Sequence, residues 1–327
     1  MKVIVTGATG FVGGALVRAL VARGDEVTAV ARPSADRTVL ADVPVRWLTG
    51  DVTQPDSLAG QFAGADALIH AAGMLGQAGV PEAAYTQLNV EGTRHVLAEA
   101  ARAGIGRVVH VGSPGVLGPI AGPPATEEAP LAPSNAYERS KAEAERIALK
   151  AAEAGLPVVI VRPEFVYGVG DLHVLGLFRT VQRGLFFYVN GGRALCHPTY
   201  IGDAVAGTLL ALDSGRAGQI YHLCGPQPVT FRQLGEALAD GLGVRRPWLS
   251  VPRPLAWGGA AVLEGLGKVL GVRPPIGRAG IEFFSDSRHF SFAKAHRELG
   301  YTPETTLAQG VAQTIAWYRE KGLLVSK

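Results

Sequence analysis

Short apolar runs alternate with longer amphipathic segments through the first half of this chain. An apolar run at 3–5 precedes a segment, 11–23, with apolar residues at helical spacing and Gly24 as a stop signal. This alternation predicts a parallel sheet with helices on both faces. Further strands are predicted at 27–31, 45–49, 67–70, 107–111 and 158–161, and further helices at 57–62, 82–103 and 137–154.

The regular alternation ends after the sixth predicted strand. One more strand is predicted at 220–223, and two or three helices within 225–288, where prolines interrupt the pattern. The fold class is therefore α/β, a doubly wound parallel (Rossmann) sheet with a smaller, mostly helical C-terminal substrate lobe. We expect a dinucleotide-binding domain at 1–163, continued by about 198–224, and a substrate lobe formed by 164–197 and 225–327.

Three glycines lie where the first strand turns into the first helix. The sequence TGATGFVG at 6–13 places Gly7, Gly10 and Gly13 in this turn. A pyrophosphate needs backbone N–H groups that approach closely and a helix N-terminus directed at the anion. A glycine triplet alone is also typical of an ordinary tight turn, but strand, turn, helix and strand follow within about 30 residues. The turn predicts a dinucleotide cofactor.

Composition, charge and cysteine content argue against several classes of protein. Hydrophobic residues make up 47% of the 327 residues and charged residues 18%, which is typical of a globular protein. The formal charge of +3 comes from scattered basic residues, so we expect no nucleic-acid partner. Cys196 and Cys224 form no metal-ligand pattern, and we expect no metal site. The segment 254–270 is too short and polar to span a membrane, and no leader precedes the first strand, so we expect a cytoplasmic protein.

A tyrosine and a lysine lie four residues apart at the start of a predicted helix. Tyr137 and Lys141 therefore share one helix face, and Ser113 follows the fifth predicted strand on the ligand side of the sheet. A phenol titrates at about pH 10, and a nearby lysine cation is expected to lower that pKa. Tyr137 would then exchange a proton with a hydroxyl or ketone while Ser113 orients the same oxygen. An isolated YxxxK is more often a surface pair, but its position here favours catalysis.

At this point the chain resembles the extended short-chain dehydrogenase/reductases over nearly its whole length. The resemblance rests on ordered motifs: TGATGFVG at 6–13, GDV at 50–52, HAAG at 70–73, NVEGT at 89–93, YERSK at 137–141, VRPEFVYG at 161–168 and YIGDAV at 200–205. It implies that Ser113, Tyr137 and Lys141 are catalytic, that Lys141 reaches the cofactor ribose, and that Asn89 supports the site. It also implies a homodimer formed through the helices at 82–103 and 137–154. The cofactor-binding positions that it implies are Gly7, Thr9, Gly10, Phe11, Val12, Gly13, Arg32, Asp51 (at the adenine), Val52, Ala71, Ala72, Gly73, Lys141 and Pro163.

The end of the second predicted strand bears on the choice of cofactor. An acidic residue there would accept hydrogen bonds from the ribose 2′-hydroxyl of NAD(H). This chain has Ala31 in that place, followed by Arg32, with Arg37 nearby. We therefore predict NADP(H), with NAD(H) as the alternative.

The substrate is less well defined by the sequence. Family members that act on sugar nucleotides usually carry a diphosphate-binding arginine where this chain has Cys196, although Arg193 could substitute. Glu164 either contacts a substrate hydroxyl or is simply exposed. The apolar segment at 254–270 resembles the hydroxysteroid dehydrogenase and dihydroflavonol reductase branch. The candidate substrate residues are Glu164, Phe165 and Arg193.

Three functions are weighed. The first is hydride transfer between NADP(H) and a secondary alcohol or ketone of an apolar small molecule, with Tyr137 as acid–base. The second is a nucleotide-sugar or sugar epimerase or dehydratase with tightly bound NAD(P). A non-enzymatic dinucleotide sensor is the third, and it is disfavoured because both Tyr137 and Lys141 are present.

Overall fold

The computed structural model of the chain describes residues 1–77, 79–270 and 277–325. Its central feature is a seven-stranded parallel sheet, whose strands are mostly apolar because both faces are buried. Six of these strands come from the first half of the chain. They are β1 (Lys2–Thr6), β2 (Glu26–Ala31), β3 (Arg46–Thr49), β4 (Ala67–His70), β5 (Arg107–Val111) and β6 (Val158–Pro163).

Short strand pairs follow in the second half of the chain, along with the last strand of the sheet. They are β7 (Val166–Tyr167), β8 (Tyr188–Val189), β9 (Leu195–Cys196), β10 (Thr199–Tyr200), β11 (Ile220–Leu223), β12 (Val229–Thr230) and β13 (Ser250–Val251). The sheet order is β11-β6-β5-β4-β1-β2-β3, so it reverses between β1 and β4. Such a reversal leaves a crevice at the carboxyl ends of the strands, where ligands bind. The predicted doubly wound sheet is confirmed.

Helices cover both faces of the sheet and form most of the C-terminal part. The interior is divided by the sheet into two large apolar clusters, one on each face. The helices are α1 (Phe11–Ala22), α2 (Glu82–Tyr85), α3 (Gly92–Arg102), α4 (Ala136–Glu153), α5 (Leu175–Gln182), α6 (Ile201–Ser214), α7 (Phe231–Leu242), α8 (Arg253–Leu270), α9 (Arg278–Ser285), α10 (Ala293–Leu299) and α11 (Leu307–Glu320).

Two helix predictions differ from the structure. The predicted helix at 57–62 is wrong, because only a 3-10 turn, Pro55–Ser57, forms there before the chain turns. The predicted helix at 82–103 is present, but its middle, Thr86–Glu91, is π-helical between α2 and α3. π-Helical turns are rare and are frequent at functional sites.

The helix α8 lies on the surface of the C-terminal part. Ala256 and Ala260 are buried against the cluster that contains Val189 and Ile281, whereas Leu255 and Val262 are more than half exposed. The helix thus packs through one narrow face. Among the described residues, no helix combines the length and the apolar character that crossing a membrane requires.

Candidate active site

The glycine turn after β1 is built for close backbone contact. Gly7 has φ of 71°, and a Cβ there would lie 2.6 Å from the backbone nitrogen of Ala72. A Cβ at Gly13 would lie 2.1 Å from the carbonyl oxygen of Gly7. The first helical turn of α1, capped at Gly10, has no side chain bonded to its N–H groups. A helix N-terminus without a side-chain cap, preceded by a turn that a Cβ would fill, fits a dinucleotide pyrophosphate.

The loops after β2, β3 and β4 would hold the rest of a dinucleotide. Ala31 is buried at the end of β2, and Arg32 is exposed directly after it. The Asp51 carboxyl accepts hydrogen bonds from the backbone and the hydroxyl of Thr53, which orients it after β3. The predicted cofactor positions at 71–73 follow β4, whose end is joined to β1 by a hydrogen bond from Ala71 to the carbonyl of Thr6.

The three predicted catalytic residues converge at the carboxyl edge of the sheet. Ser113 follows β5 and caps a short 3-10 turn, accepting from the backbone N–H of Gly115. Tyr137 lies in the first turn of α4, where the Ser113 side chain acts on its hydroxyl. Lys141, one turn further along α4, donates from Nζ to the carbonyl of Val111 at 2.8 Å. The structure thus brings together residues that are distant in sequence.

The ionisation of Tyr137 differs from the expectation. Burial raises the pKa of Tyr137 to about 12; the hydrogen bond with Ser113 lowers it, and the nearby Glu164 and Glu138 carboxyls raise it further. The predicted lowering of the Tyr137 pKa is therefore wrong in direction, and Lys141 is not among the groups that shift it. The ammonium of Lys141 points to a backbone carbonyl, and desolvation of the phenolate dominates. Tyr137 is held as a neutral phenol, which is a proton donor.

Lys141 is itself a perturbed group. Burial lowers its pKa to about 8, while the Glu145 carboxylate one turn away favours the cation. Glu145 is buried and forms a two-point ion pair with Arg162 of β6, with distances of 2.6 and 2.8 Å. The ammonium therefore lies in a region where small changes in neighbouring charge alter its protonation.

Asn89 lies on the π-helical turn and connects three parts of the site. Its amide oxygen accepts from the backbone N–H of Met74 at 2.7 Å, and its amide nitrogen donates to Ser140 on α4 at 2.9 Å. The loop that follows Gly73 is thereby joined to α4, which carries Tyr137 and Lys141. A Cβ at Gly73 would lie 3.3 Å from the Asn89 amide oxygen, so this loop lies directly over the asparagine.

The sequence pattern did not indicate two residues of the site, Glu138 and Arg288. Arg288 forms an ion pair with Glu138 at 2.7 Å, and both side chains are mostly buried. Glu138 also accepts from the backbone and the hydroxyl of Ser134. The position of Glu138 next to Tyr137 was a usable signal. Nothing local marks Arg288, because its partner lies far away in the sequence.

The three candidate substrate residues differ in burial and in their contacts. Glu164 is 7% exposed, so the alternative that it is simply a surface residue is wrong. Phe165 follows it with φ of 37°, which is strained for a non-glycine residue, and packs edge-on against Phe283. Arg193 is exposed, and no hydrogen bond or ion pair among the described residues joins it to Ser113 or Tyr137.

Several aromatic, histidine and cysteine side chains in the second half of the chain have partners that indicate a packing role. The His197 ring bonds to the carbonyl of Gly225 at 2.9 Å and is buried, which fits a packing role. Tyr188 is buried under the guanidinium of Arg232, and Phe186 packs edge-on against Phe284. Cys196 is buried in β9, paired with β12.

Comparisons with known proteins place this site in context. A 4-hydroxy-2-methyl-3-oxo-4-farnesyl-3,4-dihydroquinoline-1-oxide ketoreductase from Stigmatella aurantiaca is 32% identical over 317 residues, 95% of each chain. A 2-alkyl-3-oxoalkanoate reductase from Stenotrophomonas maltophilia is 32% identical over 95% of this chain and 97% of its own. The crystal structure of DesIV, a dTDP-glucose 4,6-dehydratase from Streptomyces venezuelae with NAD and TYD bound, has a TM-score of 0.80 and 31% identity, covering 98% of this chain and 97% of that chain.

The family assignment rests on the sheet, the glycine turn and a direct match. The model of the NAD dependent epimerase/dehydratase family matches residues 3–224, which run from the first strand of the central sheet to β11. The cofactor is therefore a nicotinamide dinucleotide, and the glycine turn provides the cradle that it needs. The chain belongs to the NAD dependent epimerase/dehydratase family.

Proposed function

We propose that this protein reduces a ketone of an apolar small molecule with NADP(H). The observation that carries the proposal is the convergence of Ser113, Tyr137 and Lys141 at the carboxyl edge of the sheet. A neutral phenol supplies the proton that a ketone oxygen takes up when it becomes an alcohol. Two relatives are named as a ketoreductase and a 2-alkyl-3-oxoalkanoate reductase, and these names support ketone reduction as the direction of the reaction.

The roles of the three residues follow from their contacts. Ser113 and Tyr137 hold the substrate oxygen from two sides, so its developing negative charge meets two donors. Tyr137 then transfers its proton to that oxygen. Lys141 keeps α4 joined to the end of β5 through Val111 and places a cation below the site. When bound, the nicotinamide supplies the hydride.

The preference for NADP(H) is part of the proposal. Ala31 leaves no carboxylate at the end of β2, and the exposed Arg32 follows it. Arg37 lies nearby, where its guanidinium donates to Thr49 and stacks over Trp47, 5.2 Å from the ring centroid. A 2′-phosphate would gain a charge-assisted bond from such guanidinium groups. Dissociation constants for NADPH and NADH test this: a preference for NADPH is expected, reduced in Arg32→Ala, and a clear NADH preference would contradict it.

The apolar character of the substrate is supported by the lobe that faces the sheet edge. Phe165, Phe283 and Phe231 form a run of edge-on aromatic contacts after β6. Cys196 cannot bind a diphosphate as an arginine would, and its side chain is instead bonded to the carbonyl of Val229. We propose that 164–197 and the C-terminal part from 225 form the substrate lobe.

A second candidate is a sugar-nucleotide epimerase or dehydratase. It is favoured by the similarity to DesIV and to a dTDP-glucose 4,6-dehydratase from Actinoplanes, together with the exposed Arg193. In that case the cofactor is regenerated in each cycle and stays bound to the purified protein. Ketone reduction instead consumes NADPH in proportion to product.

A substrate screen distinguishes the two candidates. Ketones, aldehydes, hydroxysteroids and nucleotide sugars are offered with NADPH or NADH, and both absorbance and product are measured. We expect stoichiometric NADPH oxidation with an apolar ketone. Conversion of a nucleotide sugar without net cofactor oxidation would replace the proposal by the second candidate.

We further propose that the protein is a cytoplasmic homodimer. A groove runs between α4 and the helical stretch from Glu82 to Val90, with Arg139 and Arg146 along its side. A second copy of this face would cover it. The free thiols of Cys196 and Cys224 fit a reducing compartment. Sedimentation should show a dimer, and Arg146→Glu should weaken it.

A further inference from the structure

Glu164 is a buried carboxyl at the active site that the catalytic trio does not use. It follows β6 directly, at the carboxyl edge of the sheet, and its own N–H donates to the carbonyl of Leu223 at 3.1 Å. The Thr199 N–H donates to the carbonyl of Phe165, so the backbone is held on both sides of the side chain. Within residues 1–77, 79–270 and 277–325, no group forms a hydrogen bond or ion pair with the Glu164 carboxyl.

The backbone at this point is also strained. Phe165 has φ of 37°, a conformation that costs free energy for a non-glycine residue and persists only where the surroundings determine it. The strain accompanies a change in chain direction between β6 and β7.

The charges around Glu164 leave it without a counter-ion of its own. Arg288 is the cation that acts on it, but that guanidinium is paired with Glu138 at 2.7 Å. One cation cannot neutralise two buried carboxylates, so one of them takes up a proton. Burial raises the pKa of Glu164 to about 8, with Arg288 opposing and Glu138 adding to the effect. The titratable and charged groups that act on Glu164 or respond to it are Tyr137 and Glu138 on α4, Arg288 before α10, Cys196 on β9 and Cys224 after β11.

We propose that Glu164 carries a proton at neutral pH and donates a hydrogen bond to a second oxygen of the substrate. The inference rests on the proposed ketone reduction, in which Tyr137 and Ser113 hold the reacting oxygen. The Glu164 carboxyl acts electrostatically on the Tyr137 phenol, so in its protonated form it gives the crevice a second proton donor near Tyr137. Such a pair matches a ketone with a second carbonyl close by, as in a 3-oxo ester. Glu164 thereby determines substrate specificity.

Ligand binding without turnover tests the proposal. Ethyl 3-oxohexanoate and 3-hexanone are titrated calorimetrically into the protein saturated with NADP⁺, which cannot reduce them. One hydrogen bond should make the ester bind about tenfold more tightly than the ketone. Glu164→Ala should abolish this advantage and Glu164→Gln, which keeps a donor, should retain most of it. Glu127→Gln is the matched control, since Glu127 is also buried but accepts from the backbone of His222.

The pH dependence adds a second readout. Between about pH 6.5 and 9.5 the ester advantage should disappear in the wild type, because the carboxyl loses its proton, and stay constant in Glu164→Gln. An equal advantage in Glu164→Ala, or one that is independent of pH in the wild type, would overturn the proposal.

Infrared difference spectra separate this inference from the proposed function. The difference between wild type and Glu164→Gln should contain a protonated-carboxyl band at neutral pH that is lost in alkali. Absence of that band at neutral pH refutes the inference whether or not ketones are reduced. Presence of the band and of the ester advantage, with no ketone reduced, supports the inference and refutes the proposed function.

Discussion

Lys141 donates a hydrogen bond of 2.8 Å to the carbonyl of Val111, the last residue of β5. Val111 is two residues before Ser113, and Lys141 is one turn after Tyr137. This contact therefore fixes α4, which carries Tyr137, against the strand end that precedes Ser113. Replacement by methionine removes both the cation and the donor.

We expect Lys141→Met to reduce turnover by about 100-fold or more while the fold is retained. The methionine fills the buried site, so the loss of unfolding free energy should stay within about 1–3 kcal/mol, the cost of leaving the Val111 carbonyl unpaired. Steady-state kinetics and urea unfolding measure the two effects. Turnover within a few-fold of wild type would contradict the assigned role.

Tyr137→Phe removes the proton donor and little else. The ring contact with Tyr85, at 6.1 Å between centroids, does not need the hydroxyl. We expect turnover to fall by about 10²–10⁴-fold, the range typical of a lost general acid, with unchanged affinity for NADPH. Fluorescence titration of the cofactor and kinetics in parallel test this. A variant that binds NADPH poorly would show that the hydroxyl is structural.

Gly13→Ala should disrupt the glycine turn, whereas Gly14→Ala should not. The new Cβ at Gly13 would lie 2.1 Å from the Gly7 carbonyl oxygen, which forces the turn apart. At Gly14 the nearest atom is the Ala8 carbonyl oxygen at 3.3 Å, a tight contact that a shift of a few tenths of an ångström relieves, and alanine favours the helix by about 1 kcal/mol. Loss of cofactor affinity is expected for the first variant only. Equal affinities would show that the turn does not approach the cofactor.

The buried ion pair between Arg162 and Glu145 should be costly to break from one side. The side chains are 1% and 2% exposed, so Arg162→Met leaves an uncompensated carboxylate. We expect a loss of about 3–5 kcal/mol in unfolding free energy. The double variant with Glu145→Leu should lose less, because no charge remains buried. Urea unfolding of Arg162→Met, of Glu145→Leu and of the double variant measures these losses. Losses that add in the double variant would contradict the coupling between the two side chains.

Acid should destabilise the protein through its buried histidines. Burial lowers the pKa of His70 and of His222 to about 3 and that of His197 to about 4. Unfolded histidines take up protons below about pH 6.5, so stability is complete above that pH and falls as the pH decreases toward 3. Each histidine contributes up to about 1.4 kcal/mol per pH unit.

His110 supplies the control for this prediction. Burial lowers its pKa well below the ordinary value, and both ring nitrogens lack a hydrogen-bond partner within the described parts of the chain. His110→Leu should therefore leave stability at neutral pH equal or higher and make its decline in acid shallower. Glu164 acts in the opposite sense, since its raised pKa removes stability as the pH rises from 4.5 to about 8. An unchanged acid slope in His110→Leu would contradict the assignment.

Much of the fold was predictable because it depends on local pattern. The apolar runs, the helical spacing and the glycines after β1 predicted the parallel sheet. The spacing of Tyr137 and Lys141 and the position of Ser113 indicated the candidate site, the resemblance supported all three residues, and the structure brings them to one edge. The prediction of a short helix at 57–62 was wrong because the chain has polar and glycine residues there that favour turns.

The sequence by itself determined the order of strands and helices, the glycine cradle and the residue types available for catalysis, because these depend on spacing along the chain. Only the tertiary structure decided how those residues ionise. The pair of Arg288 with Glu138, the isolation of Glu164 and the raised pKa of Tyr137 all depend on which groups lie close together and how far water is excluded. Desolvation and long-range pairing have no signature in local sequence, so the site's chemistry became visible only in the folded chain.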